Sequence, residues 1–440
     1  MFVDILIDIY MVFMYIVLCY TCFYVVLYIV GLFNHKQKYK IVEDKLKFCI
    51  FVPCHNEGSV IGATVENYRK ITYNNNLFDI YFIADNCSDN TAKEISDAIL
   101  RTANKENKKE NFFVIERNVN DLTKRGKPHA LRYAMDKLEE NNAFYEKYDM
   151  FMILDADNFV DRDILTHINS QYLSYKEKKR PAMIQTYLDS KNNENVISRG
   201  YYVSYRISNG FFQLPKHRLG LVPAIGGTGF AMETSFLKDI GGYNCKSLTE
   251  DLEIQTIATL KCKKIAYNGN VRIYDEKPTG VKQSLVQRTR WSQGHWYNFF
   301  KYCIPLFISL FNFKQIKFFF KKLDNLFYLA VKVILILGVI SLFMTIGFVI
   351  FGVIPPIPTS VIILNIILSV LAVLLVPIAS IYDGSKSEKK RAIISLIPNY
   401  ISIVVVSIID IIASILGLFK CGNQKTWKKT SHKVVKLNKD

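Results

Sequence analysis

No charged side chain occurs between Ile9 and Phe33. A run of that length is too long for one strand or one core helix. It matches the ~20 residues an α-helix needs to cross bilayer hydrocarbon. Three more such runs crowd the far end of the chain: Leu326–Ile354, apolar apart from Lys332; Ser360–Tyr382; and Ala392–Phe419, which carries Asp410. Half of the 440 residues are hydrophobic, and this segregation decides where they go. Asp4 and Asp8 stand where a cleaved leader carries basic residues, so the first run is expected to stay as an anchor.

The net charge is +17. Many of the lysines flank apolar runs: Lys36, Lys38 and Lys40 follow the first, and Lys386, Lys389, Lys390 and Arg391 lie between the last two. That placement fits the cytosolic side of an anionic bilayer. No basic stripe interleaves with aromatics, so nucleic acid is not an expected partner. No pair of pairs among the nine cysteines has zinc spacing, and they read as reduced cytosolic thiols.

Between the membrane runs the pattern changes. Phe48–Pro53, Ile80–Ala84, Phe112–Ile115, Met150–Leu154 and Met183–Leu188 predict buried strands, and segments near 58–70, 89–104, 127–140 and 161–176 predict helices. Such alternation predicts an α/β fold with a doubly wound, mostly parallel sheet, whose ligands sit at the carboxyl ends of the strands. Cys54-His55-Asn56-Glu57, Asp85-Asn86 and Asp155-Ala156-Asp157 all follow strand ends. Farther on, Asn312 to Leu323 mixes lysines with phenylalanines and predicts an interfacial amphipathic helix.

The candidate chemistry is ordered along the chain. Asp155 and Asp157 can face one point if the chain turns after the strand, and a hard divalent cation takes such oxygen ligands. Glu250, Asp251 and Glu253 cluster in Thr249-Glu250-Asp251-Leu252-Glu253, and one of them can serve as a base toward a hydroxyl. The sequence does not choose among them. Gln287, Arg290 and Trp291 are spaced i, i+3, i+4 and share a helical face with Gly294 and His295. Lys127, near a predicted helix start, suits a phosphate. Gly226-Gly227-Thr228-Gly229 allows close backbone approach but lacks the lysine of a Walker loop. Asp410 is a lone carboxylate in an apolar run, a kind of residue that often lines a pathway.

From about Phe48 to Trp296, and more loosely to the tail, this ordered set resembles the inverting family 2 glycosyltransferases. It most resembles their membrane-embedded polysaccharide synthases, which make cellulose, mixed-linkage glucan, chitin, hyaluronan and poly-N-acetylglucosamine. The resemblance implies a cytosolic GT-A domain at the plasma membrane, fed with a UDP-sugar and Mg2+ or Mn2+. It also implies a growing polysaccharide as acceptor, passed outward through a multi-pass membrane region. By resemblance, Cys54, Glu57 and Asp85 meet the nucleoside, Lys127 the diphosphate, Asp155 the donor and Asp157 the metal. Asp251 is the implied base, with Glu250 beside it toward the acceptor. Gln287 and Arg290 hold the diphosphate, Trp291 the acceptor end, and Gly227-Thr228-Gly229 floors the acceptor site.

There are departures. Ala84-Asp85-Asn86 replaces the usual paired Asp, and the gating loop of cellulose synthases has no match. Trp427 and Thr430, in Trp427-Lys428-Lys429-Thr430-Ser431-His432, resemble the tail of hyaluronan-type synthases and are the expected gating residues. The expected layout is an anchor over 1–40, a GT-A domain over 41–285, interfacial helices over 286–325, a membrane region over 326–419 and a basic cytosolic tail over 420–440. Four crossings would put that tail outside, so either one run is re-entrant or interfacial, with Pro398-Asn399 as the expected break, or the number of crossings is not four. Glucose, giving a β-glucan, is the first expected donor sugar and N-acetylglucosamine the alternative. A glycolipid-forming transferase and a non-catalytic scaffold are the other readings.

Overall fold

The structure is a computed structural model that describes residues 2–33, 37–106, 111–121, 126–140, 144–382 and 394–424. Along the chain, α1 (Phe2–Leu32) precedes β1 (Phe48–Cys54), α2 (Ile61–Tyr68), β2 (Phe78–Asp85), α3 (Thr91–Glu106), β3 (Phe112–Arg117), α4 (Lys127–Glu139) and β4 (Met150–Ile153). There follow β5 (Phe159–Val160), α5 (Ile164–Ser174), β6 (Met183–Ser190), α6 (Val196–Ser208) and, after a π-turn at Asn209–Gln213, α7 (Leu214–Arg218). Then come β7 (Phe230–Glu233), α8 (Thr234–Asp239), α9 (Glu250–Leu260), β8 (Ile265–Asp275) and α10 (Val281–Leu310). The chain closes with α11 (Phe319–Ile350), α12 (Thr359–Tyr382) and α13 (Leu396–Lys420).

The chain forms two units. One comprises Lys36–Asn193, Val222–Pro278 and Gln424–Asp440 and holds the sheet, ordered β3-β2-β1-β4-β7-β6-β8-β5. Strands β3, β2, β1 and β4 run parallel, whereas β7 is antiparallel to both β4 and β6. Strand β1 is central and apolar throughout because both its faces are covered. Ile50 and Val52 pack on one face with Val65, Tyr68 and Ile95, and Phe51 packs on the other with Leu131 and Ala134. The five expected strands and four expected helices are present. Strands β5, β7 and β8 are additions: β5 and β7 are too short to carry a period, and β8 is broken by Asn268-Gly269-Asn270.

The other unit comprises Met1–His35, Glu194–Leu221 and Thr279–Asn423. The stretch 194–221 therefore interrupts what the sequence predicts as one domain over 41–285. Asn195 starts α6 with a capping box: its side chain accepts from the Ser198 N–H at 2.9 Å. Small residues let the helices of this unit meet closely. A Cβ on Gly200 would fall 2.7 Å from the Ser402 carbonyl oxygen, and one on Gly417 only 2.6 Å from the Ser292 Cβ.

Among the described residues four helices are long and apolar enough to cross a membrane: Phe2–Leu32, Phe313–Ile350, Thr359–Ile381 and Leu396–Lys420. The last stands apart, with 33% of its most apolar window buried against 6–11% for the others. Its inward stripe is Asn399, Ser402, Val406, Ile409, Ala413 and Gly417, at helical spacing. Two expectations change here. Pro398-Asn399 lies in the first turn of α13 and marks its start, where a proline is tolerated, and does not break its interior. Asn312 to Leu323 does not form one helix of its own: a 3₁₀ turn at Phe313–Phe318 leads into α11.

Candidate active site

Strand ends place the first group of residues. The loops after β1 and β2 brace each other: Asn56 Oδ1 accepts from the Ser88 N–H at 2.7 Å, and His55 Nδ1 lies 2.7 Å from the Asp85 carbonyl. Asn56 and Asn86 both adopt positive φ, +57° and +50°, which Asn tolerates better than most residues. Cys54 and Glu57 are buried, and the Glu57 N–H donates to Thr91 Oγ1 at 2.8 Å. Burial pushes the Cys54 thiol well up. Asp85 is buried and paired: Arg117 Nη1 lies 2.5 Å from its Oδ1, and Asn86 Nδ2 donates to the same oxygen at 2.7 Å.

Beyond β4 the chain turns at Asp155-Ala156-Asp157. Asn158 fixes that turn by accepting the Asp155 N–H at 3.0 Å. Lys127, at the head of α4, is the hub. Its Nζ donates to Asp155 Oδ1 and to the Gly227 carbonyl, both at 2.7 Å, and lies 3.7 Å from Glu250 Oε1. Burial alone would lower the Lys127 pKa, but the Asp155 and Glu250 carboxylates outweigh it and hold the amine protonated.

The Gly226–Gly229 loop is held from below. Gln185, a polar residue inside β6, accepts the Gly226 N–H at 2.9 Å and donates to the Thr228 carbonyl at 3.0 Å. Thr228 is buried, with its Oγ1 2.5 Å from Asn158 Oδ1. Gly227 and Gly229 need their glycine: φ is +75° and +65°, and a Cβ on Gly229 would meet Ile273 Cδ1 at 2.0 Å.

The three acids of α9 separate by partner. Glu253 is tied to backbone, accepting the N–H groups of Lys246 and Ser247 at 2.8 and 2.9 Å. Glu250 is buried toward Lys127. Asp251 stays partly open and faces the loop: a Cβ on Gly227 would sit 3.2 Å from its Oδ2. Burial of the carboxylate, then the charge of Glu250, raise the Asp251 pKa to about 7. A carboxylate of that pKa is poised to take a proton near neutrality.

Asp157 is buried, and its Oδ2 accepts from the Glu276 N–H at 3.3 Å. Among the described residues no group of three or more His, Cys, Asp or Glu could hold a metal by itself. Two hard carboxylates at one turn nevertheless fit Mg2+ or Mn2+, which commonly takes one or two protein oxygens and the rest from phosphate and water.

Gln287, Arg290 and Trp291 belong to the other unit, half-buried on α10. Trp291 packs with Tyr201, Ile197 and Ile409 and is therefore seated in protein. His295, which the sequence places on the same face, is a core residue bonded to the Leu329 carbonyl at 3.0 Å. Asp410 pairs with Arg288 at 3.1 Å and with Lys332 at 2.9 Å. Gln424 Oε1 accepts the Leu248 N–H at 2.8 Å, just before the acids of α9. Trp427 and Thr430 lie outside the described residues.

Sequence reasoning missed Asn158, Gln185, Arg117 and Tyr201. A glutamine amid the apolar residues of β6 was the one visible sign among them.

The family model described as "Glycosyltransferase like family 2" matches residues 46–294. A poly-beta-1,6-N-acetyl-D-glucosamine synthase of Staphylococcus aureus is 25% identical over 263 residues, 60% of this chain and 58% of that protein. The Staphylococcus epidermidis protein of the same name is 24% identical over 243 residues, 55% of this chain and 52% of its own length. This chain thus matches little more than half the length of these relatives. In overall fold it is similar to a mannosyltransferase from Pyrobaculum calidifontis solved with GDP-Man and Mn2+, with a TM-score of 0.54 at 16% identity, covering 92% of this chain and 98% of that one.

Proposed function

The chain belongs to glycosyltransferase family 2, and from that premise we propose that it is an inverting, membrane-bound polysaccharide synthase that takes N-acetylglucosamine from its UDP-sugar. The cluster around Lys127 carries the reading: one ammonium bonded to Asp155 and to the acceptor-floor carbonyl of Gly227, with Glu250 and Asp251 beside it. The named relatives favour N-acetylglucosamine over the glucose reading.

In this reading Cys54, Glu57 and Asp85 line the nucleoside side and Lys127 and Asp155 meet the donor diphosphate. Asp157 holds Mg2+ or Mn2+, as Mn2+ accompanies GDP-Man in the structurally similar mannosyltransferase. The cation supplies charge neutralisation to the departing diphosphate. Asp251 takes the proton of an acceptor hydroxyl, whose oxygen bonds to the anomeric carbon. The bond from that carbon to the phosphate oxygen breaks, and its electron pair leaves with UDP. Gln287 and Arg290 serve the donor and Trp291 the acceptor.

For the membrane part we read α1, α11 and α12 as crossings and α13 as an interfacial helix packed on α6 and α10. That count follows from the positive-inside rule applied to the sequence Lys386, Lys389, Lys390 and Arg391, which lie outside the described residues, and it returns the end of α13 to the catalytic side.

The test is product analysis with the full-length protein in lipid nanodiscs, offered a panel of UDP-sugars. A polymer formed from UDP-N-acetylglucosamine supports the reading. A polymer formed only from UDP-glucose overturns the donor, and a single-sugar lipid product overturns processivity.

A further inference from the structure

The helix α10 presents its functional side chains from a surface that another helix has to hold. Tyr201, in the middle of α6, touches three of the residues in the Gln287–Trp291 string. Its hydroxyl donates to Gln287 Oε1 at 3.2 Å and lies 3.0 Å from Ser284 Oγ. The Arg288 guanidinium sits 4.4 Å from the centre of its ring. The Trp291 ring meets it edge-on, with centroids 6.2 Å apart at 78°. Tyr201 is itself 1% exposed, so it acts on a ligand only through these neighbours.

The hydrogen bonds fix a direction. A tyrosine hydroxyl has one proton to give. Spent on Gln287 Oε1, it leaves Ser284 as the donor to Tyr201. The glutamine carbonyl is thereby occupied, so the amide nitrogen is the part of Gln287 left to meet a ligand. Two N–H protons are what an anionic diphosphate accepts, whereas a carbonyl in that place would repel it. The ring does a second task. An edge-to-face pair has a preferred angle, so it holds the Trp291 indole plane. Arg288 is pressed on the ring from a third side and anchored by Asp410, which Lys332 also binds.

We propose that Tyr201 is a positioning residue for both halves of the reaction, its hydroxyl setting the Gln287 amide for the donor and its ring setting Trp291 for the acceptor. This rests on the donor and acceptor roles given above to Gln287 and Trp291.

The experiment is a double-mutant cycle on the full-length protein in nanodiscs, reading UDP affinity by calorimetry and polymer formed at saturating donor. Tyr201→Phe keeps the ring and the fold. It is expected to raise the Kd for UDP about three- to tenfold, the range one hydrogen bond spans, with polymer output at saturation retained. In a Gln287→Ala background the same change should add nothing to Kd. Tyr201→Leu should in addition reduce polymer output at saturation. A merely structural tyrosine would lower yield or melting temperature and add its Kd effect in either background. An unchanged Kd in Tyr201→Phe, or additivity in the cycle, overturns the proposal. If Gln287→Ala itself leaves UDP affinity intact, the donor role of Gln287 falls, and this inference with it. If Gln287→Ala weakens UDP and Tyr201→Phe does not, the inference on Tyr201 alone fails.

Discussion

The ammonium of Lys127 lies 2.7 Å from Asp155 Oδ1 and at the same distance from the carbonyl oxygen of Gly227. One side chain thus links the turn after β4, where the donor is proposed to sit, to the loop proposed to floor the acceptor. Lys127→Met removes both bonds and leaves Asp155 facing Glu250 without a cation. The expected result is donor KM raised tenfold or more with the protein still folded, since a charge-assisted bond contributes roughly 1.5–3 kcal/mol. Lys127→Arg should not restore it, because a planar fork does not replace a compact ammonium among three close oxygens. Steady-state kinetics against donor concentration, with circular dichroism as control, checks this.

The pH profile should report Asp251. Its pKa is raised to about 7, so the carboxylate is protonated below that value and ionised above it. A base works ionised. Hence kcat/KM should climb tenfold per pH unit on the acid side and level off above about 7. Glu250→Gln removes one of the two causes of the raised value and should move the climb to lower pH. Asp251→Asn should cut turnover by roughly 10²–10⁴ while UDP affinity stays near that of the unmodified enzyme. A climb unmoved by Glu250→Gln would count against the assignment.

Metal removal should act through Asp157. Excess EDTA should stop transfer, and Mg2+ or Mn2+ should restore it. In Asp157→Asn, transfer should stay lost at any metal concentration. UDP binding by this variant should become insensitive to Mn2+, a readout independent of turnover. Full transfer in excess chelator would remove the cation from the proposal.

The side on which the tail lies can be read at Cys421, just past α13. With three crossings it shares the cytosol with the sheet. In intact cells a membrane-impermeant maleimide should leave Cys421 unlabelled, and permeabilised cells should label it, with the other cysteines replaced by serine. Labelling of intact cells would return α13 to the set of crossings.

Legibility in the sequence followed the range of each interaction. Strands β1 to β4 could be read because each is a short apolar run closed by turn residues, and the turn at Asp155 and Asp157 could be located because it follows one such run. Gln185 could not, since its importance lies in bonds to Gly226 and Thr228, residues made forty positions later. Tyr201 is likewise joined to Gln287 from 86 positions away. The helix carrying it is amphipathic like those that cover the sheet, so periodicity alone gave no reason to separate 194–221 from the sheet. The cluster of α9 acids was visible, but only their partners distinguish Glu253, bonded to backbone, from Asp251.

The helical unit is assembled from three separated stretches, Met1–His35, Glu194–Leu221 and Thr279–Asn423. Synthesis meets them in that order. The first helix leaves the ribosome long before its neighbours exist, and the notch at Gly31 stays vacant until the Gly210 backbone arrives to fill it. At ~5–20 residues per second the wait for α10 is on the order of tens of seconds. During it the strands are complete while the helical unit still lacks its third stretch. Truncated nascent chains ending before α10 should therefore carry every strand of the sheet but only two of the three stretches of the helical unit, and quality-control proteases would have that long to judge them.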